Sequence, residues 1–107
     1  MRMSSGYAFH PEAYADLDDI RYFIAQESPD AADFVMSEIF DALRRLVPFP
    51  HQGYRRPDLT SRPLRFILVR EYLVAYAPEE KPLWVVAVMH ARRNPRLMAA
   101  ILRGRLD

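Results

Sequence analysis

The chain contains no cysteine. Disulfides, thiolate-bound metals and cysteine nucleophiles are excluded together, and the absence fits a reducing cytoplasm. No apolar run approaches the roughly 20 residues that a membrane-crossing helix needs. The opening Met1-Arg2-Met3-Ser4-Ser5-Gly6 lacks the apolar stretch of a secretory leader, so a cytoplasmic location without membrane contact is expected. A Gly-rich phosphate loop and a Gly-x-Ser-x-Gly nucleophile elbow are both missing, as are repeats and low-complexity tracts. Three scattered histidines, His10, His51 and His90, share no metal-ligand spacing. Neither a metal nor a cofactor is expected. Lysine occurs once, at Lys81, and no aromatic residue follows Trp84.

What is present has the balance of an ordinary globule: 107 residues, 50% hydrophobic and 27% charged. That length predicts one domain over residues 1–107, built on one hydrophobic core. The net charge of +1 conceals a strong asymmetry. Residues 1–43 set two arginines against nine acids, which leaves −7, and residues 44–107 set 13 bases against five acids, which leaves +8. An acidic first half and a basic second half predict two electrostatic faces. The basic one either meets an acidic partner or a phosphate backbone, or simply solvates its side of the molecule.

Hydrophobic spacing then orders the elements. Tyr7-Ala8-Phe9-His10 reads as a short first strand. Pro11 suits the first position of a helix, and Ala13, Leu17, Ile20 and Ile24 recur at helical spacing, leaving Asp16, Asp18 and Asp19 to solvent. That helix is expected to stop near Glu27, because Ser28 precedes Pro29. Ser28-Pro29-Asp30 also opens a second helix, with Ser as N-cap and an acid in the first turn. It runs to about Leu46 and buries Ala32, Val35, Ile39, Leu43 and Leu46. Two antiparallel helices with almost no loop make a helical hairpin. Prolines and Gly53 assign Val47 to Ser61 to a loop. Three strands follow, Pro63 to Val69, Tyr72 to Ala77 and Leu83 to His90, with short connections suited to antiparallel neighbours. The last is apolar from Leu83 to Met89, which marks it as central. Asn94-Pro95 begins a final helix to about Arg103, striped by Leu97, Met98, Ile101 and Leu102. The expected fold class is α+β, in the order β-α-α-β-β-β with a C-terminal helix, an antiparallel sheet packed against a helical hairpin with its helices on one face.

With that order in place, the chain resembles the RelE/ParE toxin superfamily of type II toxin–antitoxin systems, on the ParE side, from about Tyr7 to Asn94. The residues that carry the resemblance are Asp16-Leu17 with Ile20 and Tyr22 on the first helix, and Pro29-Asp30-Ala31-Ala32 opening the second. Pro50 and Gly53 follow, then Leu73-Val74-Ala75-Tyr76 and the closing His90-Ala91-Arg92-Arg93-Asn94. The resemblance implies a growth-inhibiting toxin that stabilises a plasmid or chromosome and is neutralised by a cognate antitoxin within a toxin–antitoxin hetero-oligomer. The antitoxin's disordered segment would cross the hairpin, reach the sheet and order on binding.

Fold does not decide activity, and the superfamily divides between two. A ParE-like toxin inhibits DNA gyrase by protein contact and does no chemistry of its own. A RelE-like toxin is a ribosome-dependent mRNA endonuclease, which needs a general base, cations on the phosphorane and an acid for the leaving oxygen. For the nuclease the candidates are His90, Arg65 and Arg92, with Arg93 and His51 nearby in the pattern. RelE-like members carry a tyrosine near the C-terminus and several bases on the sheet. Here the last tyrosine is Tyr76, and the tail forms a helix that would cover part of the sheet. The gyrase reading therefore ranks first, the nuclease second, and a plain nucleic-acid-binding module third, since the arginines are set in no recognised reading element.

Candidate contacts with the target or antitoxin are Arg65, Tyr76, His90, Arg92, Arg93, Met98 and Leu102. Each also has a structural reading. His90 can close a strand, Trp84 suits the core, and Tyr72 and Tyr76 share one sheet face either as half-buried core or as a groove. Met98 and Leu102 can pack on their own domain. His10 and His51 read as surface residues.

Overall fold

A computed structural model describes residues 6–106. The Met1–Ser5 segment read for a leader, and Asp107, lie outside the described residues. The elements are β1 (Tyr7–Phe9), α1 (Pro11–Ala25), α2 (Pro29–Leu46), a 3-10 turn (Pro50–Gln52), β2 (Arg65–Val69), β3 (Tyr72–Ala77), β4 (Leu83–His90) and α3 (Pro95–Leu106). The expected order is the observed order.

The helical hairpin follows from its caps. Ser28 stands in extended conformation and its hydroxyl accepts the Ala31 N–H at 3.1 Å, so one orphan donor of α2 is satisfied where α1 has just ended. His10 does the same for α1, its Nδ1 accepting from the Glu12 N–H at 3.0 Å. That gives a residue read as plain surface a capping role. α2 buries Ala32, Val35, Ile39, Leu43 and Leu46 as its spacing requires, together with Met36 and Ala42.

Two differences concern the sheet. Its order is β1-β4-β3-β2, and β1 runs parallel to β4, so the sheet is mixed rather than antiparallel. The chain leaves β1 through the helical hairpin and the β2–β3 hairpin, a long crossover that brings β4 in along the same direction. Three residues of β1 carry no pattern from which that direction could be read.

The second difference is the side taken by α3. One core cluster joins α1 and α2 to Tyr72, Val74, Tyr76, Leu83, Val85 and Val88. The other lies on the reverse face, where Leu59, Leu64, Phe66, Leu73, Val86 and Met89 pack against Met98 and Leu102 of α3. Helices therefore cover both faces. A β-bulge adds to the second core: Ala75 pairs with Ala87 but Tyr76 pairs with Val85, which leaves Val86 as the extra residue. Val86 and Ala87 then both point to the α3 side. An apolar residue at each of seven consecutive positions in β4 serves two cores at once.

Candidate functional site

The loop after α2 is held from inside the sheet. The Tyr76 side chain is fully buried, and its hydroxyl donates to the Pro50 carbonyl at 2.6 Å while accepting the Gly53 N–H at 3.0 Å. Arg65, opposite Tyr76 on β2, donates from Nη1 to the Gly53 carbonyl at 2.9 Å. Only glycine fits between them, because a Cβ there would lie 2.5 Å from the Tyr76 hydroxyl and 2.7 Å from the Phe66 carbonyl. Burial pushes the Tyr76 hydroxyl above the ordinary phenol range, opposed by the Gly53 N–H and by Arg65. Tyr76 and Arg65 thus work as a clamp on the Pro50–Gly53 turn.

His90 closes β4 at the other end of the sheet. Its Nδ1 accepts the Arg92 N–H at 3.1 Å, its carbonyl accepts the Arg93 N–H, and its ring meets Tyr72 edge-on with centroids 5.5 Å apart. Burial, then the nearby Glu71 charge, raises the Tyr72 hydroxyl above its usual range. Arg92 and Arg93 extend from the turn, exposed and without a carboxylate partner among the described residues.

The three residues read as a nuclease set are not one constellation. His90 sits beside Tyr72, and Arg65 sits beside Tyr76. Four steps along β3 separate them, about 13 Å along the strand, with two strand spacings of about 4.8 Å across it. His90 and Arg92 do come together; Arg65 is remote from both. His51 lies elsewhere again, its Nε2 2.8 Å from Glu79 Oε2. Met98 and Leu102 are buried in the reverse core, whereas Leu97 of the same α3 stripe stands exposed. Trp84 is half-buried and packs against that same core.

A shallow groove of about 230 Å³ opens beside His90, lined by Asp16, Ile20, Phe23, Tyr72, Val88 and Arg93 among others. Phe23 and Tyr22 stand 74% and 71% exposed on α1. Phe23 also borders an adjoining hollow of about 300 Å³ at the hairpin tip, with Ile24, Ser28 and Ala31. Sequence reasoning missed Phe23; the signal that could have found it is that Tyr22 and Phe23 are large aromatics lying off the Leu17-Ile20-Ile24 stripe.

One feature left no such signal. β1 covers β4 only from Leu83 to Val85. Beyond it, Asp16 Oδ2 accepts the Val88 N–H at 2.9 Å, and Arg105 Nη1 donates to the Val86 carbonyl at 3.1 Å. The two side chains also bind each other, Nη1–Oδ2 at 2.6 Å and Nη2–Oδ1 at 2.9 Å. Carboxylate and guanidinium therefore continue the ladder where a strand ends. Asp16 is not solvated as its helical position suggested: its side chain is 18% exposed and that of Arg105 10%. The Asp16 hydrogen bond holds the Arg105 guanidinium above its ordinary range, against the opposing effect of burial. Arg105 Nε is buried without a hydrogen bond, with the Glu12 carboxylate at 3.6 Å.

Among the described residues no helix is long and apolar enough to cross a membrane. A comparison with curated proteins returned no match. Residues 7–95 match the family described as ParE toxin of type II toxin-antitoxin system, parDE. That span takes in everything from β1 to the first residue of α3, including the hairpin, the Tyr76 clamp and the His90 turn. The chain belongs to the ParE toxin family of type II toxin–antitoxin systems.

Proposed function

We propose that this toxin inhibits DNA gyrase through protein contact and carries out no bond-breaking chemistry itself. The observation that supports this reading is that Arg65 lies apart from His90 and Arg92, so the full set read for a nuclease is not assembled among the described residues. His90 and Arg65 lie at opposite ends of β3, and Arg65 and Tyr76 are engaged with the Gly53 turn. Cleavage at a 2′-hydroxyl needs base, acid and cation around one phosphate. In addition, α3 covers one face of the sheet, leaving less open surface for an RNA strand.

The antitoxin is a partner implied by family membership. Its segment fits the groove along α1, with an apolar side chain between Ile20, Phe23 and Tyr72 and an acid against Arg93 or Arg92. Arg65, first considered for the same role, is turned to the Gly53 carbonyl. The purified toxin is expected to retain gyrase on an affinity column and to inhibit supercoiling, with the antitoxin abolishing both. Undiminished supercoiling at saturating toxin contradicts the proposal.

A further inference from the structure

We infer that the solvent face of α3, with the turn that precedes it, is a phosphate-binding surface that engages the backbone of duplex nucleic acid without reading its sequence. Residues 81–106 contain no Asp or Glu. Arg92, Arg93, Arg96 and Arg103 are exposed and have no carboxylate partner among the described residues, as is true elsewhere only of Arg45 and Arg55 among the exposed arginines described, whereas Arg21, Arg44, Arg56, Arg70 and Arg105 each have one. Arg96 and Arg103 are seven residues apart, which places them on one side of the helix about 10 Å from each other. Between them stand Ala100 and, just beyond, Gly104, where even an added Cβ would meet nothing within 4 Å. The helix therefore offers a low surface between two guanidinium forks, which suit phosphate oxygens. Its N-terminus adds the positive end of the helix dipole beside Arg92 and Arg96.

The opposite side of the molecule is acidic. The hairpin that carries Asp18, Asp19, Asp30, Asp33 and Asp41 packs on the other face of the sheet. A polyanion would thus be steered to α3 and away from α1 and α2. The surface bears one large exposed apolar residue, Leu97. An acidic peptide would ask for apolar pockets between the charges; a phosphate backbone asks only for spaced cations. The nearest cleft, about 370 Å³ beside Arg103, contains Asp58, but Arg56 already holds that carboxylate through two hydrogen bonds.

The surface is independent of the gyrase reading, so the test omits gyrase. Binding of the toxin to a mixed-sequence 20-base-pair DNA duplex is measured by anisotropy across a salt series. Three phosphate contacts predict a slope of log K against log salt near −2.7. Replacing Arg92, Arg96 and Arg103 by Gln is expected to abolish it, at about 0.9 per residue. Replacing Arg21, Arg44 and Arg45 by Gln removes the same charge from the hairpin and is expected to leave the slope unchanged. Circular dichroism verifies that both variants fold. Equal flattening by the two variants, no duplex binding at about 50 mM salt, preference for single-stranded RNA over the duplex, or equal displacement by polyglutamate each overturns the inference.

Discussion

Tyr76, Gly53 and Arg65 show how far three side chains can be committed to shaping one turn. Tyr76→Phe leaves the Gly53 N–H and the Pro50 carbonyl without their partner, and a buried group left unpaired costs about 1–3 kcal/mol. A urea melt is expected to show that loss. Gly53→Ala sets a Cβ against the Phe66 carbonyl, and overpacking of this kind costs about 1–3 kcal/mol. Alkali acts on the same residue. The folded Tyr76 hydroxyl titrates above its unfolded value, so its contribution is complete below about pH 10 and drains as pH rises through that value toward the folded one. Tyr72 shifts in the same direction. Thermal melts from pH 8 to 11 are expected to fall at the alkaline end, and less steeply in Tyr76→Phe; identical profiles for the two proteins would remove Tyr76 from the account.

Among the elements, α1 and α3 are joined across the end of the sheet by Asp16 and Arg105. Asp16→Ala takes the acceptor from Val88 and leaves Arg105 nearly buried without its main counter-charge. Breaking such a pair costs about 3 kcal/mol, and hydrogen exchange is expected to rise first at Val88. A loss spread evenly over the sheet would contradict the edge-capping role. The hairpin was legible because its signals are local: Ser28 and Pro29 end one helix and start the next, and the α2 stripe has helical spacing. β3 and β4 were legible for the same reason. Three things were not. The direction of β1 depends on a crossover, the side taken by α3 depends on packing against Leu59, Leu64 and Phe66, and the Asp16–Arg105 pair joins residues 89 apart in sequence. Each is a long-range arrangement that spacing within a window cannot encode.

At the scale of the molecule, the charge asymmetry of the sequence becomes a polarity across the sheet, with the acidic hairpin on one face and α3 on the other. Of the candidate site, the His90-Arg92-Arg93 cluster was legible as a run of residues. Sequence spacing had no means of showing that Arg65 and Tyr76 serve a turn, or that Met98 and Leu102 are core. The same separation of Arg65 from His90 bears on function. Substituting Arg65 by Gln is expected to lower stability through the freed Gly53 carbonyl by about 1 kcal/mol, with gyrase inhibition per folded molecule unchanged. The most direct measurement runs the purified toxin in parallel on gyrase with supercoiled DNA and on mRNA bound to translating ribosomes. Trapped gyrase cleavage complexes with intact mRNA are the result predicted here. Ribosome-dependent cuts in the mRNA with gyrase unaffected would contradict it and return His90 and Arg92 to the role of catalytic residues.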